Sequence, residues 1–226
     1  MDISRTGSVQ QAVAEVLARR LVLFNYSTAA LICVTIRHLM SVITPVREKQ
    51  EIGLAVADFS LPLISGEGER SLVDIASGKQ GAVIVFWSGF CSHCVRYDDY
   101  LNRFNARYPE LALAAVASRY GESADQIQAI AAERKLSFAI LHDRTGAVAR
   151  QWYTQQTPRA FLIDHERRLR YRGAIDNFKY PADSEYQPYL EPAIASFLAG
   201  QPISRVETAS FGCAIQSVYY VLPNPL

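Results

Sequence analysis

The chain is short of several things that would otherwise direct its reading. Its 226 residues carry 23 basic and 22 acidic side chains, a net charge of +1. That balance gives no electrostatic case for nucleic acid or for a strongly acidic partner. It has only four cysteines, Cys33, Cys91, Cys94 and Cys213. Four in a chain of this length do not make a disulfide framework. No internal repeat and no low-complexity tract is present, which excludes solenoids and biased linkers. Half the residues are apolar and a fifth are charged, a globular composition that can support one domain with extensions.

The amino-terminal part raises a separate question. Residues 21–36 carry no charge, with Arg19 and Arg20 before them and Arg37 and His38 after. Sixteen residues of helix span about 24 Å, short of a hydrocarbon core of roughly 30 Å. Snorkelling arginines could make up the difference, and no small-x-small cleavage site follows soon after. The segment 1–45 therefore reads as a helical extension or a membrane anchor through residues 21–36. Cys33 within it reads as a small buried apolar residue. The compartment stays open between the cytoplasm and a membrane-anchored position on the extracytoplasmic side.

Residues 46–56 read as a polar linker broken by Gly53. A folded domain is expected over 57–200 and a tail over 201–226. Apolar runs mark strands at 82–87, 111–118 and 137–141. Helical signals cover 91–108, ended by Pro109, then 123–135, capped by Ser123, then 145–153 and 189–198. Residues 159–164 and 168–172 flank a polar turn and read as a hairpin. Strands alternating with helices predict an α/β sandwich of three layers. Its central mixed sheet has helices on both faces, with antiparallel strands closing a parallel core.

Against that frame, Cys91-Ser92-His93-Cys94 stands out. It follows an apolar strand and opens a helix. A cysteine there lies beside unpaired backbone N–H groups and the positive end of the helix dipole, both of which favour thiolate. A second cysteine one turn on can attack a mixed disulfide held by the first. Cys91 is thus the expected attacking thiolate and Cys94 the resolving thiol. Ser92 and His93 are the intervening residues that tune the pair. The His93 ring is expected to donate to the thiolate and push the pair toward the oxidising end of the range. Structural zinc would need a second pair of ligands, and only Cys213, His38, His142 and His165 remain. No metal and no cofactor are expected. A structural disulfide across four residues would gain little from loop closure.

Pro158 follows Thr157 and precedes the run Arg159–Asp164. A proline cannot donate to a sheet ladder, but at a sheet edge beside a reactive site it fits, particularly as a cis peptide. Thr157 would then offer its backbone to an extended substrate chain. Trp87 is expected to pack over the dithiol as an apolar wall. Asp98 and Asp99, on the helix after Cys94, read as a solvated face.

Three stretches resemble the thioredoxin-like redoxins of the alkyl hydroperoxide reductase and thiol-specific antioxidant superfamily. They are Ala57–Pro62, Val85–Ser88 running into Cys91–Cys94, and Thr157–Asp164. The sequences Tyr171–Asn177, Leu198–Pro202 and Glu207–Ile215 resemble a peroxiredoxin-like subgroup with a late Gly-Cys-x-Ile. The resemblance implies a thioredoxin-like fold and thiol–disulfide exchange with a protein or small-molecule thiol or disulfide, fed by an unidentified electron donor. It also implies Cys213 as a third redox thiol. Two positions depart from the wider pattern. Val85 stands where thioredoxins place a buried aspartate. Ile84 stands where peroxidatic members have a proline, although Ser88 matches their hydroxyl. The alternatives are a thiol-dependent peroxidase and a copper- or haem-assembly protein that binds metal through the dithiol.

Overall fold

The computed structural model describes residues 51–215. The expected extension or anchor at 1–45, Cys33, the start of the linker and the end of the tail lie outside the described residues. Strands β1 (Ser60–Pro62) and β2 (Glu69–Ser71) form a small antiparallel hairpin. It leads into α1 (Leu72–Ala76), where Ser71 and Asp74 complete a capping box. Then comes the main sheet: β3 (Gly81–Trp87), β4 (Leu111–Ala117), β5 (Ala139–His142), β7 (Arg159–Asp164) and β8 (Leu169–Gly173), in the spatial order β5-β4-β3-β7-β8. β3, β4 and β5 run parallel, and β7 and β8 are antiparallel to their neighbours. This is the mixed sheet that the alternation of apolar runs and helical segments predicts.

The central strand explains the layering. All seven residues of β3 are buried, so both faces of the sheet are covered. Val83, Val85 and Trp87 point to one face. There they join Leu113, Ala115, Leu162 and the helical residues Leu101, Phe104, Ile127 and Ile194. Ala82, Ile84 and Phe86 point to the other face, with Leu72, Val116, Phe161 and Trp152. The period of two in a strand thus divides one apolar run between two cores. The second core is centred on aromatics: Phe86, Phe161 and Trp152 have ring centroids 5.2–5.9 Å apart in edge-to-face geometry.

The helix expected over 91–108 is broken into α2 (Ser92–Val95), α3 (Asp98–Asn102) and α4 (Phe104–Arg107). Around Cys94 and Tyr97 the backbone bonds tighten to three-residue spacing, which overwinds the chain before regular turns resume. α5 (Ala124–Glu133) starts at the Ser123 cap, α6 (Ala147–Gln151) follows Gly146, and α7 (Leu190–Leu198) ends before Gly200.

The free edge of β8 is closed by segments whose sequence predicts linker and tail. Gly53 and Val56 donate to the Leu169 and Arg167 carbonyls, and Leu169 donates to Leu54. Farther along, Arg172 N–H donates to Val206, Thr208 N–H donates to Arg172, and the Arg172 guanidinium pairs with Glu207 at 2.8 Å. Burying an edge in this way satisfies its ladder groups. Last come two short strands away from the main sheet, β6 (Gln156–Thr157) and β9 (Cys213–Ala214), paired antiparallel with Thr157 opposite Cys213.

Packing in the two cores, rather than helix propensity, should dominate stability. Phe161→Ala is expected to cost about 3–5 kcal/mol. Ser123→Ala, which removes one helix cap, should cost only about 1 kcal/mol. Urea titration of both variants checks this, and equal losses would contradict it.

Candidate active site

The site forms where β3 ends. After Trp87 the chain turns through Ser88–Phe90, and Cys91 caps α2 with an extended backbone (φ −89°, ψ 109°). Cys91 N–H donates to the Ser88 carbonyl, and Cys94 N–H returns to the Cys91 carbonyl. Cys94 therefore lies one tight turn from Cys91. Both are free thiols with 0 % exposure. Across from them the Thr157–Pro158 peptide bond is cis. The Cys91 thiol donates to the Thr157 carbonyl at 3.3 Å.

The electrostatics separate the two cysteines. The Cys91 pKa is drawn below its ordinary 9.0, to about 4. The Cys94 thiol, donating to the Cys91 sulfur, is the largest cause; burial opposes it, and the Cys213 thiol, the Thr157 hydroxyl and the Cys213 backbone add to it. Cys94 is pushed well above the ordinary thiol value, first by burial, then by its hydrogen bond to Cys91 and by the Cys91 charge. The pair thus holds one proton on Cys94 and one negative charge on Cys91.

The source of this charge differs from the one the tetrapeptide suggests. The backbone N–H groups of Ser92 and His93 lower the Cys213 pKa against burial. The His93 ring is not among the groups lowering Cys91. It packs on Phe178 with centroids 4.8 Å apart, and its buried Nδ1 has no hydrogen-bond partner. Thiol donors and a hydroxyl take the place of the expected imidazole. Ser92 is exposed. Trp87 shares one core with Cys91 and Cys94; its ring meets Phe138 edge-on at 6.5 Å and lies under the Arg134 guanidinium at 5.3 Å.

Thr157 and Pro158 are buried, and the backbone edge expected to be open at Thr157 is occupied by Cys213. Cys213 itself is partly exposed. Its approach depends on Gly212. A Cβ there would stand 1.8 Å from the Thr157 carbonyl oxygen and 2.7 Å from its carbon, so no larger residue lets the two backbones come so close.

Three further features had little or no signal in the sequence. Glu122 is 3 % exposed. Its Oε1 accepts from the Ser88 hydroxyl and the Phe90 N–H, both at 3.1 Å, while Oε2 has no partner. Burial raises its pKa, against the bonds from Phe90 and Ser88. The Ser88 hydroxyl that matches peroxidatic relatives is thus committed to Glu122. Asp176 ties the segment after β8 to the junction between α2 and α3, accepting from the Tyr97 hydroxyl at 2.6 Å and pairing with Arg96 at 3.4 Å. Asp98, expected on a solvated face, is mostly covered and forms a two-pronged pair with Arg134. Only its neighbour Asp99 is exposed. A carboxylate one turn past an exposed residue gives no sign that an arginine 36 positions on will fold over it.

Among the described residues, no helix is long and apolar enough to cross a membrane. No group of three His, Cys, Asp or Glu side chains among them is arranged to hold a metal ion.

Comparison with known proteins agrees with this geometry. The chain is 28% identical over 114 residues to the thiol-disulfide oxidoreductase ResA of Oceanobacillus iheyensis, which covers 50% of this chain and 59% of that protein. It is 30% identical over 113 residues to ResA of Geobacillus thermodenitrificans, covering 50% and 63%. The chain thus spans about three fifths of the length of these curated relatives. A crystal structure of a hypothetical protein from Sinorhizobium meliloti superposes with a TM-score of 0.66 at 26% identity, covering 76% of this chain and 97% of that one. The family model of the AhpC/TSA family matches residues 52–172, from the segment that closes the β8 edge, through both cysteines and the cis-proline, into β8. The chain belongs to the AhpC/TSA family.

Proposed function

We propose that the chain is a thiol–disulfide oxidoreductase in which Cys91 attacks and Cys94 resolves. The observation that carries this reading is the arrangement of the pair. Cys94 lies one tight turn after Cys91, both thiols are buried, and the Cys91 sulfur faces the Thr157 carbonyl at 3.3 Å. The Cys91 thiolate attacks a client disulfide, forming a mixed disulfide and releasing one client thiolate. Cys94 then gives up its proton and attacks the Cys91 sulfur. The second client thiolate leaves, and a Cys91–Cys94 disulfide forms. Two electrons pass to the client, and the reverse sequence oxidises a client dithiol.

The raised pKa of Cys94 supports this order of events. Of the effects that hold its proton, burial remains throughout. The hydrogen bond to the Cys91 thiolate and the repulsion from its charge vanish once Cys91 is tied up in a mixed disulfide. Cys94 is therefore inert while Cys91 is free and becomes easier to ionise when it is needed. The surroundings favour a protein or peptide client. Phe90, Val95, Phe178 and Phe211 are exposed apolar residues on the segments around the site, and Phe178, Phe211 and Pro158 line one small recess. The electron donor is a second thiol or dithiol, acting on the same Cys91 sulfur.

Reduction of insulin by a dithiol donor tests the activity. Cys91→Ser is expected to bring turnover down to the uncatalysed background, and unchanged turnover would refute the assignment. The ionisation has its own test. The folded-state pKa of Cys91 lies below that of the unfolded chain, so the charge stabilises the reduced fold above the unfolded value of 9.0 and is lost as pH falls through about 4. Ultraviolet thiolate absorbance of the reduced protein should therefore persist at neutral pH and be absent in Cys91→Ser. Stability of the reduced protein should rise with pH between those two values. A thiolate signal that emerges only above pH 8 would contradict this.

A further inference from the structure

We propose that the tail strand Gly212–Ile215 is a built-in substrate, whose Cys213 exchanges disulfides with Cys91 as an alternative to Cys94. This rests on the oxidoreductase reading of Cys91 and Cys94 and deepens it. Four observations carry it. First, the tail lies antiparallel on the backbone of Thr157, with Cys213 opposite Thr157 and Ile215 N–H donating to Gln155. That is where an extended client would add a strand beside the site. Second, the register sets Cys213 opposite Thr157, whose carbonyl faces the Cys91 sulfur at 3.3 Å, and Cys213 is among the groups that lower the Cys91 pKa.

Third, the docking is built rather than incidental. Gly212 is the residue that lets the tail meet the Thr157 carbonyl. Upstream, Thr208 is held by Arg172, Ala174 and Tyr171: its N–H donates to the Arg172 carbonyl, its Oγ1 accepts from Ala174 N–H at 3.0 Å, and its hydroxyl meets the Tyr171 hydroxyl at 2.8 Å. Gly173 leaves the space for it, since a Cβ there would stand 2.0 Å from the Thr208 Oγ1. Fourth, the Ser92 and His93 N–H groups at the start of α2 draw the Cys213 pKa down against burial. They would support charge there when Cys213 attacks or departs as thiolate.

The exchange balances without an outside oxidant. Starting from the Cys91–Cys94 disulfide, Cys213 loses its proton and attacks the Cys91 sulfur. The Cys91–Cys213 bond forms as the Cys91–Cys94 bond breaks, and Cys94 leaves as thiolate and takes up a proton. From a client mixed disulfide on Cys91, Cys213 displaces the client thiolate in the same way. Cys213 is partly exposed whereas Cys91 and Cys94 are not. The tail therefore carries the disulfide from a buried pair to a position an external thiol can reach. The same strand must leave the Thr157 edge before an extended client can bind there.

Oxidation of the full-length Cys94→Ser variant with oxidised glutathione, followed by peptide mapping, tests this. The expected product is an intramolecular Cys91–Cys213 disulfide, with little glutathione left on Cys91. Adding Gly212→Ala, which pushes the tail off Thr157, should slow that disulfide at least tenfold and let the glutathione adduct on Cys91 accumulate. In otherwise unaltered protein, Gly212→Ala should speed access of glutathione to Cys91. A stable glutathione adduct on Cys91 in Cys94→Ser, with Cys213 still open to alkylation, would overturn the proposal. So would a Cys91–Cys213 bond that forms equally fast with Gly212→Ala. Either result would leave wild-type insulin reduction intact. Loss of the oxidoreductase reading would instead appear as no dependence of turnover on Cys91.

Discussion

Thr157 is the point on which the site depends. Its carbonyl accepts from the Cys91 thiol, its hydroxyl is among the groups that lower the Cys91 pKa, and its backbone pairs with the strand that brings Cys213. One residue therefore faces Cys91 in either protonation state and also fixes the register of a third thiol. The three segments that meet here, around Cys91, Thr157 and Cys213, are far apart in sequence, and the two cores hold the first two in place. Trp87 anchors the end of β3 in one core, and the β7 residues that follow Pro158 are divided between both. Thr157 is itself buried and lies two residues before that strand, so the strand fixes where it sits.

Burial and reactivity then follow from the same contacts. A thiolate with no solvent would normally be disfavoured, since burial alone raises a thiol pKa. Here donated hydrogen bonds outweigh burial at Cys91. Cys94, the principal donor, gives up its own acidity in doing so. The outcome is a charge that is held without water, and a second thiol that ionises only after that charge is used.

Much of the architecture was legible in the sequence because it rests on local patterns. The run at 82–87 and the apolar stretch at 111–118 are buried on both faces and have no competing reading. Ser123 and Gln126 form a capping box that marks a helix start by chemistry alone. The hairpin at 159–172 is announced by polar turn residues, and Asp164 accepts from the N–H groups of Glu166 and Arg168 within that turn. Less legible were features set by tertiary contact. The break of the expected long helix into α2, α3 and α4 coincides with the Asp176 bonds to Arg96 and Tyr97, which come from a distant segment. Residues 53–56 follow a polar stretch and open with a glycine, so they look like loose linker, but they pair with the β8 side of the sheet. The direction of the His93 ring is decided by Phe178, and the burial of Glu122 by the loop folded over it. The presence of Cys213 could be flagged from its Gly-Cys-x-Ile setting. Its register against Thr157 could not, because a two-residue strand has no periodicity to read.

The central claim is that the fold holds Cys91 as a thiolate and so favours the reduced dithiol. The reduction potential of the Cys91–Cys94 pair, measured by equilibration with a glutathione buffer, tests it most directly. A stabilised thiolate predicts a value displaced from about −270 mV toward about −120 mV, the oxidising end of the range for such pairs. A potential at or below about −270 mV would mean that the reduced form gains nothing from these contacts, and the account of the site would be wrong.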